Sequence, residues 1–299
     1  MGKASRIKQQ SAREKIAAQR EAARKAERRN RIMITVGSTL VVLVIVAVFV
    51  VVKLAQGSPS SSGNSSTTGT LLPASVSSQV TGVPAATLDR VGKGAVPAFT
   101  HGQPALTAGS GATLTSGGKP QMLYIGAEFC PYCAATRWSM AVALSRFGTL
   151  SPLHGIHSSS TDTDPNTATL TFYKTTYNSN YLNFTPVEVQ NVSRGALQNP
   201  TAAQNAVWAK YEPDPNTRGY PFITFGNKLI MKGPIYDAAV LKGMSWSQIA
   251  AALKDPTSPV AQSVLGAANY ITGAICKMTN NQPSDVCSSA AVTAVQSGL

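Results

Sequence analysis

Two of the chain's four cysteines lie three residues apart, in the stretch YIGAEFCPYCAATRW at residues 124–138. Disulfide exchange needs a thiolate that attacks and a second thiol close enough to resolve the mixed disulfide. Cys130 and Cys133 have a spacing that suits this reaction. The apolar run before them predicts a buried strand and the pattern after them predicts a helix, so Cys130 should lie at the first turn of that helix.

A helix N-terminus is a favourable place for a nucleophilic cysteine. Its free backbone N–H groups and the positive end of its dipole stabilise a thiolate and lower the pKa of the thiol. Pro131 suits the first helical position because it has no N–H that would lack a partner there. We therefore predict that Cys130 attacks the disulfide of a partner protein and that Cys133, deeper on the same face, resolves the mixed disulfide. In the oxidising direction the sulfurs of the two proteins exchange roles.

Three other interpretations of this pair remain open: a metal site, an inert structural disulfide, and a thioredoxin-like domain that only docks a partner. Zinc is usually held by four ligands from two close pairs. Cys276 and Cys287 have ten residues between them, which does not match that spacing. His154 and His157 could assist, but a single histidine on a strand is more often a surface or core residue. We predict no metal, and no cofactor beyond the dithiol.

The remaining patterns predict an α/β fold. The run PQMLYIGA predicts a strand over 120–127, and the helix after it should run from Pro131 to about Phe147. The patterns further along predict a strand within 151–160, an inserted β-hairpin formed by 167–174 and 183–192, a helix over 201–212, a hairpin over 221–233 that turns at Gly226-Asn227, and extra C-terminal helices over 245–255 and 258–279. A strand that runs into a helix beginning at Cys-x-x-Cys, followed by a late hairpin opened by proline, has the order of a thioredoxin fold.

The segment AEFCPYCAATRW resembles the active-site segment of thioredoxin-superfamily oxidoreductases, and Cys-Pro-Tyr-Cys is common among glutaredoxins. The segment TRGYPFITFGNKL resembles the Arg-Gly-Tyr-Pro segment of protein disulfide isomerase domains, in which the proline is cis and lies beside the active-site sulfurs. The resemblance implies that role for Pro221. It also implies active-site support from three neighbours: Pro131, Tyr132 and Tyr220.

The sequence departs from this superfamily at one position. Related catalysts often carry a buried Asp or Glu six residues before the first active-site cysteine, where it helps to move the proton of the resolving thiol. This chain has Tyr124 at that position. Glu128, two residues before Cys130, is expected at the surface. Proton transfer would therefore rely on water or on another group.

As a whole, the chain is similar to a family of membrane-anchored proteins of actinobacteria and archaea, domain of unknown function 929. The insert SSSTDTDPNTATLTFYKTTY and the tail NYITGAICKMT carry this likeness, which spans most of residues 83–299. The likeness implies a membrane location and a thioredoxin-like core. It implies no substrate.

The N-terminal part of the sequence predicts a membrane anchor. Residues 1–31 form a basic cytoplasmic segment with 11 Lys/Arg and three Glu, and residues 32–52 carry no charge. A transmembrane helix over 32–52 would reach about 30 Å, the thickness of the hydrocarbon core. The positive-inside rule places the N-terminus in the cytoplasm and everything after residue 52 outside the plasma membrane. We favour an uncleaved single-pass anchor over a cleaved signal peptide, because the apolar run and its basic flank are both long.

Residues 53–82 are rich in Ser, Thr and Gly and predict a flexible linker, since such a stretch buries too little apolar surface to offset its ordering entropy. The thioredoxin-like extracytoplasmic domain would then cover residues 83–299. The net charge of +13 is concentrated before the predicted span, because residues 1–31 contribute +8 and residues 32–299 contribute +5. We therefore expect no nucleic-acid partner.

Cys276 and Cys287 flank the polar loop KMTNNQPSDV. Outside the cytoplasm, where disulfides form and persist, a structural disulfide that closes this loop is the leading interpretation. It would contribute about 3 kcal/mol under the chain-entropy model. The alternative is a shuttle pair that relays electrons to or from Cys130 and Cys133, whose sulfurs would have to approach within bonding geometry during turnover.

These expectations combine into one function, a membrane-anchored extracytoplasmic thiol–disulfide oxidoreductase that acts on cysteines of exported proteins through the Cys130/Cys133 couple. Its partners would be the lipid bilayer, the thiols and disulfides of exported proteins, and a membrane electron donor or acceptor that the sequence does not identify. Pro-Tyr between the cysteines occurs in both reducing and oxidising proteins, so both directions stay open. The alternative is a non-catalytic thioredoxin-like binding or scaffold domain of the cell envelope.

Overall fold

A computed structural model describes residues 69–97, 99–100 and 103–299. The predicted basic segment 1–31, the predicted membrane helix 32–52 and the first part of the predicted linker lie outside these residues. Within the described part of the chain, no helix is both long and apolar enough to cross a membrane.

The described residues form a mixed α/β structure with several sheets. In chain order the strands are β1 (Thr70–Leu71), β2 (Phe99–Thr100), β3 (Gln103–Pro104), β4 (Thr107–Ala108), β5 (Thr115–Ser116), β6 (Lys119–Gly126), β7 (Gly148–Ser151), β8 (His154–His157), β9 (Ala168–Thr171), β10 (Thr176–Ser179), β11 (Asn183–Glu188), β12 (Phe222–Phe225) and β13 (Leu229–Lys232). The helices are α1 (Ala74–Thr81), α2 (Ala85–Val91), α3 (Pro131–Ser145), α4 (Ala202–Tyr211), α5 (Trp246–Ala252), α6 (Pro259–Met278), α7 (Ser284–Cys287) and α8 (Ala290–Gln296), with a 3₁₀-helix at Ala238–Leu241.

The central sheet has the strand order β11-β6-β12-β13-β4, and β5 also pairs with β6. β11 runs parallel to β6 with Glu188 opposite Gly126, whereas β12 runs antiparallel to β6 with Phe222 opposite Ile125. The last five residues of β6 are buried, as expected for a strand that is covered on both faces. The chain that leads to Cys130 therefore leaves the sheet between the end of β11 and the start of β12.

Helix α3, which carries Cys133, is enclosed by other elements. Thirteen of its 15 residues are buried, and it packs on α6 and on β9. The indole Nε1 of Trp138 donates a hydrogen bond to the Ala168 carbonyl oxygen of β9 at 3.0 Å. A helix that is apolar around most of its circumference is a core helix, so α3 holds its first turn at a fixed place against the sheet.

Several local predictions are confirmed. β6 and α3 cover the strand and the helix predicted on either side of the cysteines. α4 and α5 begin at capping boxes headed by Thr201 and Ser245. The hairpin of β12 and β13 turns at Gly226 and Asn227, whose φ angles of 61° and 60° suit the mirror-image turn that tight hairpins favour.

The predicted inserted hairpin is wrong in its pairing. β9 pairs with β8 and β10 pairs with β7, so the segment between α3 and β11 contributes to two small antiparallel sheets. β11 instead joins the central sheet beside β6, and the strand predicted within 151–160 lies in a small sheet as β8. Parallel strands are joined by a long crossover, so an alternating sequence pattern identifies a strand without identifying its partner.

The predicted flexible linker also extends too far toward the C-terminus. Residues 70–81 form β1 and α1, and β1 pairs with β8. Leu72, Val76 and Val80 recur every four residues and are buried. This spacing places them on one face of the chain entering and forming α1, where burial of apolar surface offsets the entropy of ordering the segment.

Candidate active site

Cys130 lies at the N-cap of α3, as the sequence predicts. Its backbone is extended, with φ −75° and ψ 122°, and Pro131 follows in the first turn. The backbone N–H of Cys133 donates to the Cys130 sulfur, with 3.4 Å between the nitrogen and Sγ. This N–H is one of the donors that a helix leaves unpaired at its start, and here a sulfur takes the place of the usual oxygen cap.

The pKa values of the two thiols are shifted in opposite directions. The Cys133 thiol and its backbone N–H lower the pKa of Cys130, and the Arg137 charge acts in the same direction, against the effect of burial. Burial raises the pKa of Cys133 well above its usual range, and the neighbouring Cys130 raises it further. Cys130 is 5% exposed and Cys133 is 0% exposed. The arrangement therefore favours a thiolate at Cys130, the state that an attacking cysteine needs, and keeps Cys133 as a protonated thiol at rest.

The segment that precedes β12 lies beside the cysteines. The Tyr220–Pro221 peptide is cis, as the resemblance to disulfide isomerase domains implies. The Cys130 Sγ lies 3.8 Å from the Tyr220 carbonyl oxygen. The Tyr220 ring packs edge-on against Phe129, with 6.2 Å between ring centroids, and Tyr132 packs against the same cluster. The residues that the sequence places at the site are thus brought together by the pairing of β12 with β6.

A buried ion pair joins α3 to β11 next to the cysteines. Arg137 is one helical turn after Cys133, and its Nε and Nη2 donate to the two carboxylate oxygens of Glu188, each at 2.8 Å. Nη2 also donates to the Ala127 carbonyl oxygen at 2.8 Å. Both side chains are 0% exposed. Burial alone would lower the pKa of Arg137, but the Glu188 carboxylate raises it above its usual range, so a full positive charge lies near both sulfurs.

The sequence reasoning missed Arg137 and Glu188. Each is the single charged residue within a buried element, Arg137 in the helix AATRWSMAVAL and Glu188 at the end of the strand NFTPVE. Charged side chains are rarely buried unless they are paired. An isolated charge inside an apolar run is therefore a signal for a buried ion pair, and two such signals in one domain suggest that they pair with each other.

The expected surface position of Glu128 is wrong. Glu128 is 3% exposed, and Thr171 Oγ1 of β9 donates to its carboxylate at 2.6 Å. Its backbone N–H donates to the Gln190 carbonyl oxygen at 2.8 Å. Burial raises the pKa of Glu128. The small sheet that carries β9 covers this side chain, and the sequence near Cys130 gives no sign of that cover.

Two loops hold the residue before Cys130 in place. The Arg194 guanidinium lies 3.8 Å from the centre of the Phe129 ring, and it pairs with Asp162 at 2.6 Å. The backbone N–H of Ser159 donates to the Phe129 carbonyl oxygen at 2.9 Å. The loop after β11 and the loop after β8 therefore both contact the active-site segment.

In a comparison with protein families, the model of the domain of unknown function DUF929 matches residues 106–277. The matched range covers more than half of the 299-residue chain. The chain belongs to the DUF929 family. No curated protein and no solved structure gives a significant match. The range matched by the DUF929 model includes the Cys130/Cys133 pair, the Arg137–Glu188 ion pair and the Tyr220–Pro221 peptide, so all three features lie within the family's domain.

The two histidines considered as metal ligands, His154 and His157, lie at the two ends of β8. The His157 ring packs against Trp246 with 4.6 Å between ring centroids, and burial lowers the pKa of His157. In the described part of the chain, no three His, Cys, Asp or Glu side chains converge to a possible metal site. His157 contributes to packing between β8 and α5.

The second cysteine pair is a disulfide, with 5.6 Å between the Cα atoms of Cys276 and Cys287, and Cys287 lies beyond the range matched by the family model. This disulfide lies at the C-terminal end of α6. There the Lys228 ammonium group donates to the Lys277 carbonyl oxygen at 3.1 Å. Lys228 lies at the β12–β13 turn, and the neighbouring Gly226 N–H donates to the Gln121 carbonyl oxygen near the start of β6. Gln121 and the end of β6 are five residues apart, or roughly 16 Å along a strand.

The disulfide and the Cys130/Cys133 pair therefore lie at opposite ends of the central sheet. Direct exchange between them needs sulfurs at bonding distance, and the packed sheet and helices hold them apart. This placement supports the structural interpretation of the Cys276–Cys287 disulfide over the shuttle interpretation.

Proposed function

We propose that this protein is a thiol–disulfide oxidoreductase with a thioredoxin-like fold. A buried strand, β6, leads into a helix that begins at Cys-x-x-Cys. A parallel strand, β11, lies on one side of β6, and the antiparallel hairpin opened by Pro221 lies on the other. This arrangement supports the thioredoxin-like interpretation, because it is the order on which the resemblance to that superfamily depends.

One observation carries the proposed activity: the Cys130 sulfur caps α3 and has a depressed pKa, while Cys133 one turn deeper keeps its proton. In the reducing direction the Cys130 thiolate attacks one sulfur of a substrate disulfide, and the other substrate sulfur leaves. Cys133 then attacks Cys130 Sγ, which forms the Cys130–Cys133 disulfide and releases the first substrate sulfur. The chain's two thiols are oxidised and the substrate is reduced. In the oxidising direction each step runs backwards.

The substrates we propose are cysteines of exported proteins, with the domain outside the plasma membrane on a single-pass anchor at residues 32–52. The uncharged run and its basic flank support the anchor. The Cys276–Cys287 disulfide supports an oxidising compartment. A membrane donor or acceptor of electrons would restore the Cys130/Cys133 couple after each turnover, with no cofactor in this chain.

A second function, a non-catalytic binding or scaffold domain of the cell envelope, is favoured by one observation. Cys130 is only 5% exposed, and the partly buried Tyr132 and Tyr220 pack against its cluster. A site closed in this way suits a binding surface better than an enzyme that must admit large substrates. The two functions differ in whether Cys130 turns over.

The deciding experiment uses the full chain in detergent and two assays, insulin reduction with dithiothreitol as donor and refolding of reduced ribonuclease. The oxidoreductase should be active in at least one assay, and Cys130→Ser should lose at least a hundredfold of that activity because the attacking thiolate is gone. A double variant with Cys276→Ser and Cys287→Ser is the matched control and should keep its activity per folded molecule. Equal activity of the wild type and Cys130→Ser in both assays would leave the binding domain as the function.

A further inference from the structure

Two buried hydrogen-bond donors close to Cys133 have no acceptor. The Tyr124 hydroxyl and Arg137 Nη1 are both buried, and neither makes a hydrogen bond. Buried donors without partners are rare, because each loses its hydration without replacement. Tyr124 and Arg137 are also among the largest fully buried side chains of the domain, so solvent does not satisfy them.

The geometry of β6 locates the Tyr124 hydroxyl near the ion pair. A Cβ at Gly126 would lie 2.0 Å from this hydroxyl, so the Tyr124 side chain extends along β6 to the level of residue 126. Glu188 is opposite Gly126 in the sheet, and the next residue, Ala127, accepts a hydrogen bond from Arg137. The hydroxyl therefore reaches the place where α3, β6 and β11 meet.

Cys133 lies at the same place. It is one helical turn before Arg137, so the two side chains share a face of α3. Burial raises the pKa of Tyr124 well above its usual range, against the opposing effect of the Arg137 charge, and the nearby Cys133 raises it further. Tyr124 thus keeps its proton throughout the physiological range, and its O–H is available to donate to a thiolate.

Glu188 is poorly suited to take the proton of Cys133. Both of its carboxylate oxygens accept from Arg137, and protonation of either oxygen would break one of these bonds inside the protein. Of these three groups, Tyr124 and Arg137 therefore offer donors to a thiolate, whereas Glu188 is occupied by Arg137.

We propose that the Tyr124 hydroxyl and Arg137 Nη1 form a donor pocket that stabilises the Cys133 thiolate during the second step of disulfide exchange. This inference rests on the proposed oxidoreductase function. In that step Cys133 Sγ bonds to Cys130 Sγ, the bond from Cys130 to the substrate sulfur breaks, and the proton of Cys133 ends on the departing substrate sulfur. The donors gain an acceptor as the thiolate forms, so two unpartnered groups are satisfied on the path of the reaction.

The test follows the reaction of the reduced full chain with dithiobis(nitrobenzoate), a chromogenic disulfide that releases one coloured thiolate in each step. Tyr124→Phe removes only the hydroxyl and should raise the pKa of Cys133 by roughly one unit. A higher pKa also makes the remaining thiolate more nucleophilic, so the second phase should slow by only about threefold at neutral pH, while the first phase is unchanged. The pKa itself is read from the ¹³Cβ shift of Cys133 in a Cys130→Ser background.

Tyr236→Phe is the matched control, because Tyr236 also has a buried hydroxyl, which already donates to the Ala135 carbonyl oxygen of the same helix. It should leave both phases unchanged. A second variant, Arg137→Met with Glu188→Leu, removes Nη1 without leaving an unpaired charge and should also slow the second phase.

An unchanged pKa of Cys133 in Tyr124→Phe, with the same second-phase rate, would overturn the donor pocket and leave the proposed function standing. If Tyr124→Phe raised the pKa of Cys133 but the wild-type chain turned over neither insulin nor ribonuclease, the donor pocket would stand and the proposed function would be overturned.

Discussion

The two cysteine pairs of this domain have similar burial and different chemistry. Cys130 and Cys133 are free thiols, whereas Cys276 and Cys287 form a disulfide, and all four are 5% exposed or less. Cys130 caps the N-terminus of α3, where the helix dipole and unpaired N–H groups favour a thiolate. Cys276 lies in the last turn of α6, where the dipole disfavours one. Position along a helix, rather than burial, separates the pair of free thiols from the disulfide.

The two cysteine pairs also differ in their surroundings. A buried charge, that of Arg137, acts on both Cys130 and Cys133. The Cys276–Cys287 disulfide instead closes a loop against α6, with Cys276 within the main hydrophobic cluster of the domain. We therefore expect nearby charge to control the acidity of the Cys130 and Cys133 thiols, and the crosslink between Cys276 and Cys287 to contribute to the stability of the fold.

The largest effect should come from breaking the ion pair next to Cys130 and Cys133. Glu188→Gln leaves Arg137 buried and charged without its partner, so the free energy of unfolding should fall by about 3–5 kcal/mol. Urea denaturation measures this loss. The matched control is Asp162→Asn, which breaks a pair whose side chains are 49% and 21% exposed and should cost less than about 1 kcal/mol. Equal losses in the two variants would contradict the assignment of a buried ion pair.

Removal of the second cysteine pair should have the next largest effect on stability. Cys276→Ala with Cys287→Ala opens a loop with a sequence separation of 11. The chain-entropy model gives a loss of about 3 kcal/mol, measurable by thermal or urea unfolding. Cys130→Ala with Cys133→Ala removes no crosslink from the reduced protein, so a loss as large as that of the first variant would refute the division into reactive and structural pairs.

The two pairs should also separate in glutathione redox buffers. Structural disulfides have reduction potentials below about −300 mV, and redox-active pairs lie at higher values, so we expect a gap of at least about 30 mV, or tenfold in the equilibrium constant. Mass spectrometry after alkylation counts the thiols of each pair. Reduction of both pairs at one potential would show that the Cys276–Cys287 disulfide takes part in the redox chemistry.

The smallest effect concerns the pH at which Cys130 reacts. The Cys133 thiol and the helix N-terminus lower the pKa of Cys130, so its thiolate is lost only when the pH falls below the range of an ordinary cysteine. The rate at which iodoacetamide alkylates native Cys130 should therefore stay close to its maximum as the pH is lowered. At the same pH, the rate for the urea-unfolded chain should have fallen several-fold below its own maximum. A native midpoint at or above the unfolded one would show that burial outweighs the favourable contacts.

Local sequence was enough to predict the elements that place Cys130. The apolar run of β6, Pro131 at the helix start and the Gly226-Asn227 turn each act over a few residues, and the structure has all three. These signals depend on backbone conformation and on hydrogen bonds within one turn, so neighbours in sequence decide them.

Only the tertiary structure decided which distant segments meet. Glu188 is 51 residues from Arg137, and it reaches Arg137 because β11 pairs parallel to β6 after a long crossover. Glu128 is buried because β9 supplies Thr171 as its hydrogen-bond partner. Pairing of strands and burial of charge depend on how the layers pack, and a local pattern does not contain that information. The sequence by itself determined where Cys130 lies on its helix, and the packing of the sheet determined the charges around it.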